Sequence, residues 1–406
     1  MIRVSAKQVI VVGGNFGGLA AALELKYELA DDVAVTVVSA SARFLFNPSL
    51  IWLPFGKRRA GDITFPLEPT FDAHGVEFVH AEATAIDPAA RTVTTSTGAE
   101  YRYDYLILAT GYRNDYEAVP GLGPDGCAQS ITTLADAERA GAAWRDFLDD
   151  PGPVVIGATQ GASCFGAAYE FLFNMSHQLR KSKLNELTSL TFLTAEPFVG
   201  HFGIGGLPGG EKLLKMFLKK EGIAVRTGVA FEEVGGDYVR LTDGSKVKFA
   251  YSMVVPPFVG QDVVRAVPNL TDGKGYIPVE DTYRSKAYPE IYAAGIAAQV
   301  PVPWRTSVPI GIPKTGFPTE SMAKVAARNV ASAIKGEDPV SHKEFGEMAA
   351  VCMMDAGNNG VLILADHMLP PRKAAVMIPG PQVHAMKLAF EKYYLWKSRH
   401  GYVRLP

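Results

Sequence analysis

Cysteine is scarce: 406 residues contain three, Cys127, Cys164 and Cys352. An odd count this low excludes a secreted disulfide scaffold. Neither C-x-x-C nor H-x-x-x-H occurs, so metal-ligand spacing is lacking and no metal site is expected. No run of 18 or more uncharged apolar residues exists, so no membrane-spanning helix is expected. Charge of one sign is also missing. Forty lysines and arginines against 42 acids leave −2, which gives no basic field for nucleic acid. The 40 glycines and 27 prolines show no collagen period, and there is no low-complexity tract. A short polar start leads directly into a strand, so no signal peptide is expected. What is present is a chain 48% apolar and 20% charged. It is long enough for roughly two to four domains with a sizeable core.

The informative features are motifs. Val9–Val12 form a short apolar run, as a strand buried on both faces should. Gly13-Gly14-Asn15-Phe16-Gly17-Gly18 follows, then an alanine- and leucine-rich helix whose N-terminus suits a pyrophosphate. Asn15 replaces the middle glycine of G-x-G-x-x-G; asparagine tolerates positive φ, but its side chain crowds a phosphate. The next strand, 33–38, ends at Ser39 where a ribose-binding acid is usual. Ser41 and Arg43 follow it as further cofactor-binding candidates; Ser39 can bond a ribose hydroxyl more weakly, and Ser39 with Arg43 is a candidate reader of a 2′-phosphate.

Downstream, Tyr103-Asp-Tyr-Leu-Ile-Leu-Ala109-Thr110-Gly111 is a buried strand ending in a small turn, and Ile291-Tyr-Ala-Ala-Gly295-Ile296 comes much later. Together with the first turn these resemble the FAD domain of two-dinucleotide-binding-domain flavoproteins. Ile296 stands where that superfamily has an acid, so one ribityl hydrogen bond must come from elsewhere. A second strand–turn–helix starts at Pro153 and reads Gly157-Ala-Thr-Gln-Gly161-Ala-Ser-Cys164. Thr159 and Ala162 replace the second and third glycines. The following strand ends in Thr194, with Glu196 two residues late. Threonine at a point of close backbone approach obstructs a pyrophosphate, so this second Rossmann-like unit is expected to have lost NADH.

Cys164 lies near the start of a helix, where the dipole favours thiolate. Cys352 lies in an apolar stretch running into a turn, and Cys127 in a polar loop. By resemblance, the cysteine positions exclude the glutathione-reductase and thioredoxin-reductase types, and any redox pair is long-range. The chain resembles the sulfide:quinone oxidoreductases over nearly its whole length. The resemblance rests on residues 13–18, Phe46-Asn47-Pro48-Ser49, Gly161-Ala-Ser-Cys-Phe-Gly166 with Tyr169-Glu170, and Glu196-Pro-Phe-Val-Gly-His201-Phe-Gly. Pro313-Lys314-Thr315-Gly316-Phe-Pro-Thr-Glu320, the Cys352 segment and Phe390-Glu-Lys-Tyr-Tyr-Leu-Trp396 complete it. Members often carry a histidine soon after the first cysteine; this chain has Ser130-Ile-Thr-Thr133.

The resemblance implies sulfide oxidation to polysulfide or sulfur, with electrons passing through FAD to a membrane quinone. It implies a disulfide or polysulfur bridge between Cys164 and Cys352, with Cys352 nearest the flavin. Cys127 would shuttle sulfur or attach to the flavin 8-methyl, and this choice stays open. Glu170 is the candidate base, although six residues after Cys164 on a helix corresponds to about 240° of net rotation. His201 would relay protons. Lys314 would stabilise the reduced flavin, with Thr315, Gly316, Asn47, Pro48 and Ala83 as further cofactor-binding candidates.

Residues 381–406 carry a net +4 and leave −6 for the rest. Met386, Phe390, Tyr393 and Lys397 follow a helical stripe that suits a helix lying among lipid headgroups. Met353, Met354 and Phe390 are candidate quinone-pocket walls. The expected architecture is α/β, with two Rossmann-like dinucleotide-binding domains and a C-terminal membrane-associating segment. The FAD domain is placed at 1–118 and 250–330, the second unit at 119–249 and the quinone/membrane module at 331–406. A homo-oligomer on a prokaryotic inner membrane, monotopic, is expected. Rival readings are a type II NADH:quinone oxidoreductase, a flavocytochrome sulfide dehydrogenase subunit and a sulfide-sensing flavoprotein without turnover.

Overall fold

The computed structural model describes residues 6–405. The chain opens with β1 (Lys7–Val12), α1 (Phe16–Leu29), β2 (Val33–Ser39), β3 (Glu77–His80) and β4 (Tyr105–Leu108). A second unit follows: β5 (Val154–Ala158), α2 (Phe165–Lys181), β6 (Leu190–Thr194), β7 (Ala224–Thr227) and β8 (Tyr251–Val255). The chain then returns to the first unit with β9 (Ile291–Ala293) and α3 (Gly316–Lys335). It ends with β10 (Ala350–Asp355), β11 (Gly360–Ala365), β12 (Ala375–Pro379) and α4 (Pro381–Arg399).

The first sheet has the order β9-β4-β1-β2-β3 and is parallel throughout. Val9, Val11 and Val37 are fully buried, as the uninterrupted apolar runs require of a sheet covered on both faces. The second sheet, β7-β6-β5-β8, is also parallel. The expected return to the first unit at residue 250 is too early, because β8 pairs with β5 from Tyr251 to Val255. Its mostly apolar sequence, Tyr-Ser-Met-Val-Val, does not reveal which sheet it joins.

In each sheet the strand order reverses beside the first strand. The reversal lies between β1 and β4 in the first sheet and between β5 and β8 in the second. Crevices at the carboxyl ends of such strands are where α/β folds bind ligands. The third sheet, β10-β11-β12, is antiparallel. Helix α4 packs on β10 and β11, and α2 packs on β10 from the other unit. This three-way junction brings α2, β10 and α4 together.

Candidate functional site

The first turn is built for close approach. Gly13 has φ +102°, and a Cβ there would lie 2.3 Å from the Ala109 carbonyl oxygen. A Cβ on Gly14 would lie 2.7 Å from Leu67 Cδ1. Phe16, Gly17 and Gly18 begin α1, with their amides at its N-terminus. Asn15 has φ −83°, so positive φ is not its role. Its amide donates to Asn47 Oδ1 at 3.1 Å, and its oxygen accepts from the Leu45 amide. The side chain is thus turned aside, and it ties the Asn47-Pro48 segment to the turn.

Ser39 donates to the Ser41 carbonyl and Ser41 to that of Arg43. Arg43 donates to Thr64 Oγ1 and its carbonyl oxygen. The candidate 2′-phosphate reader is therefore not assembled; its groups close a local turn. Ala83 is buried at the start of a short strand. Ala109, Thr110 and Gly111 line the other side of the crevice, and the buried Thr110 hydroxyl has no partner among the described residues. Gly295 (φ +68°) and Ile296 follow β9. Lys314 donates to the carbonyls of Ile296 and Ala298 and lies 4.2 Å from the Tyr276 ring centroid. Burial pushes its ammonium pKa down to about 7. Thr315 and Gly316 open α3, where a Cβ on Gly316 would meet the Phe16 ring at 2.7 Å. A narrow glycine turn, a helix N-terminus and an orphan hydroxyl fit the pyrophosphate and adjoining groups of a dinucleotide.

The cysteines fall into two places. Cys164 is the N-cap of α2, and its side chain makes no capping hydrogen bond, although the nearby Ala167 amide favours its thiolate. Burial outweighs that influence and pushes the thiol up. Cys352 sits in β10. Its surface is open to solvent, yet protein surrounds it deeply enough to push its thiol up to about 12. Burial is the main cause; the charges of Glu170 and Cys164 add to it and Lys387 opposes it. Glu170, on the helix capped by Cys164, bonds the Asp355 amide three residues after Cys352 and pairs with Lys387, so both thiols belong to one cluster around this ion pair. Cys127 stands apart, exposed in its loop. All three are free thiols.

Glu170 points to the third sheet. It accepts the Asp355 amide at 2.6 Å and the Lys387 ammonium, and burial raises its pKa despite that cation. Asp355 in turn accepts from Trp52 Nε1 at 2.8 Å and contacts His384 Nδ1. Burial works against its charge, but these bonds and Lys387 hold its carboxyl below the usual range. Lys387, Asp355, His384 and Trp52 escaped sequence reasoning, because their pairings span tens to hundreds of residues without any local pattern. His201 is buried in the loop after β6, with its ring edge-on to Phe198 and Trp304. Burial lowers its pKa.

Comparison with known proteins matches residues 7–311 to the pyridine nucleotide-disulphide oxidoreductase family. A sulfide-quinone reductase of Aquifex aeolicus is 34% identical, covering 98% of this chain and 92% of its own. The crystal structure of the sulfide:quinone oxidoreductase from that bacterium superposes with a TM-score of 0.92, with the same coverage of both chains. An NADH dehydrogenase-like protein of Mycobacterium tuberculosis is 30% identical over 72% of each chain. The chain belongs to the sulfide:quinone oxidoreductase family.

Within this family member the second fingerprint turn is covered by its own chain. The Gly161 amide donates to the Pro309 carbonyl at 2.7 Å, and the Gly311 amide to that of Ala162 at 2.8 Å. The strap 309–313 lies so close that a Cβ on Gly311 would stand 2.7 Å from Ser163 Cβ. Gln160 exchanges two side-chain bonds with the Phe231 backbone. Thr159 is fully buried. Glu196 is turned inward, bonded to Tyr169, Thr194 and the Phe202 amide.

The C-terminal helix departs from the expected stripe. Lys397, placed with Met386, Phe390 and Tyr393, is buried against Glu320. The buried face of α4 instead carries Val383, Lys387, Glu391, Tyr394, Lys397 and Ser398. Three of the five cations in 381–406 are engaged internally: Lys387 with Glu170, Lys397 with Glu320, and Arg404 with Glu24. The net +4 is therefore not a free basic surface. Met354 is core, not a pocket wall, while Met353 and Phe390 are half-buried. Among the described residues, no helix is long and apolar enough to cross a membrane. One face of the third sheet presents Val351, Met353, Leu362, Leu364, Val376 and Ile378, all of them exposed or half-exposed.

Proposed function

We infer that the protein oxidises sulfide with a quinone as acceptor, and that Cys164 and Cys352 carry the sulfur. Sharing 98% of its length with the Aquifex enzyme supports the activity. The single observation supporting the residue roles is the cluster of both thiols with the buried Glu170–Lys387 pair. FAD suits the first crevice. The turn 13–18 and the N-terminus of α1 would hold its pyrophosphate, and Thr110, Gly295 and Lys314 would hold its remaining groups. Bound there, FAD would supply the two-electron acceptor between sulfur and quinone.

Starting from a Cys164–Cys352 disulfide, hydrosulfide attacks one sulfur. One S–S bond forms and one breaks, giving a persulfide on Cys164 and a Cys352 thiolate. Re-bridging of this pair through the added sulfur releases two electrons and one proton. The net reaction is hydrosulfide, quinone and one proton giving zero-valent sulfur and quinol. Lys387 favours the Cys352 thiolate. Glu170 opposes it while charged and ceases to do so on taking a proton, so a proton passing from Cys352 to Glu170 removes the opposition. Cys127, exposed and apart, suits sulfur transfer at the exit.

The covered second turn supports a site that does not take NADH. The apolar face of the third sheet is where we place the bilayer, since a lipid-soluble acceptor is reached from there and β10, which gives it Val351 and Met353, carries Cys352 on its opposite face. The units carrying these roles are the first sheet with its β9–α3 return, the second sheet, and the segment from 331 onward.

The test is an anaerobic titration of the FAD-loaded protein with sulfide and, separately, NADH, followed by a soluble quinone. Bleaching by sulfide and recovery on quinone is expected. Bleaching by NADH alone would overturn the reading.

A further inference from the structure

The Glu170–Lys387 pair lies inside the protein, and a chain of contacts leads from it to the surface. Glu170, Lys387, Asp355 and Trp52 are all buried. The Asp355 amide bonds Glu170, while its carboxylate accepts from Trp52 Nε1 at 2.8 Å and from the Gly357 amide at 3.2 Å. Its third contact is His384 Nδ1 at 2.5 Å. The His384 side chain is 26% exposed, against none for Asp355. An ionised carboxylate only accepts, and the bonds to Asp355 favour its ionised form. Nδ1 therefore carries the proton, and Nε2 is left for exchange with water.

The same histidine meets the pair again along its own helix. His384 and Lys387 are three residues apart on α4, and so neighbours on its surface. Both rest on Trp52: the His384 ring meets it at 6.3 Å and 73°, and the Lys387 ammonium lies 5.3 Å from its centroid. Glu170, Asp355, His384 and Lys387 thus close a ring around one indole. The other titratable groups near Asp355 meet its neighbours instead of its carboxylate. Lys57 donates to Asn174 Oδ1 and the Gly357 carbonyl, and a Cβ on Gly357 would stand 2.4 Å from the His177 ring.

The reaction gives this arrangement a task. On the sulfide-oxidising reading above, Glu170 takes a proton from Cys352 in each turnover and must lose it before the next. Cys352 is the thiol expected nearest the flavin, so the proton needs another way out. We propose that His384, held by Asp355, passes this proton to water. It leaves the Cys352 thiol, rests on the Glu170–Lys387 pair, crosses to the neighbouring imidazole and departs from Nε2. The proposal rests on that reading of the function.

The test is anaerobic steady-state turnover of the FAD-loaded protein with sulfide and a soluble quinone, in wild type and His384→Asn at one fixed pH. Asparagine keeps an N–H for Asp355 but cannot carry the proton onward. The variant is expected to lose at least about tenfold in limiting rate, with the half-saturating sulfide concentration within about twofold. Imidazole added to the buffer is expected to restore most of that rate in a saturable way, because the ring it replaces reaches the surface. Flavin content and dithionite reduction establish that the variant is folded. A wild-type rate in His384→Asn overturns the outlet, and so does a loss that imidazole does not repair, which would mean a structural role alone. Failure of the wild type to turn over with sulfide would instead overturn the function itself.

Discussion

Lys387 and Glu170 stand 217 residues apart and form one buried ion pair, joining the last helix to the helix that begins at Cys164. A buried pair is costly to break from one side, because the remaining charge is left without a partner. Lys387→Met is expected to lower stability by about 3–5 kcal/mol. Lys387→Met combined with Glu170→Gln should lose much less. Urea unfolding of the FAD-loaded proteins measures this, and equal losses in the single and double variants would show that the two residues do not act as a unit.

Glu196 provides a pH dependence with a definite sign. Its carboxyl is pushed from an ordinary 4.5 up to about 7 by burial, partly offset by bonds from the Phe202 amide, Thr194 and Tyr169. A raised folded pKa stabilises the protonated form. The stabilisation is complete below about 4.5 and is lost as pH rises through about 7. The change corresponds to about 3 kcal/mol. Glu196→Gln is expected to flatten this slope between pH 4.5 and 7 in denaturation curves. A slope identical to wild type would place the titration elsewhere.

NADH is expected to leave the flavin oxidised. A pyrophosphate at the second turn would have to displace the strap, whose Pro309 carbonyl and Gly311 amide bond the turn. Absorbance in an anaerobic cuvette decides the point; rapid bleaching would mean that the strap opens readily.

Val376 and Ile378 are 45% and 40% exposed on the all-apolar face of the third sheet. Replacing both with glutamate is expected to abolish co-sedimentation with lipid vesicles while turnover with a short-chain soluble quinone persists. Retained vesicle binding would move the membrane contact elsewhere, with α4 and its exposed Trp396 the next surface to test.

Local chemistry made much of this legible from sequence. The run Val9–Val12, the turn at Gly13 and the Ala109–Gly111 strand end are set by neighbouring residues, and they appear where the pattern places them. Side-chain roles that depend on distant partners were not legible. Backbone tolerance is what local chemistry suggests for Asn15, but its side-chain amide is held by Leu45 and Asn47. Lys387 and Lys397 look like free cations in the local sequence because their acids, Glu170 and Glu320, lie on other helices. Of Met386, Phe390, Tyr393 and Lys397, only Lys397 is buried, because it pairs with Glu320 inside the fold. Nor could any spacing rule bring Trp304 to His201, since that contact is made between two loops.

The most direct measurement concerns the two thiols. Cys164→Ser and Cys352→Ser, each loaded with FAD, would be mixed with sulfide without oxygen while flavin absorbance is followed, with dithionite as the control. Both are expected to lose at least about two orders of magnitude in the sulfide-driven rate, since a serine hydroxyl can neither form nor exchange a disulfide, and to be reduced normally by dithionite. Normal bleaching of either variant by sulfide would contradict a relay running between Cys164 and Cys352.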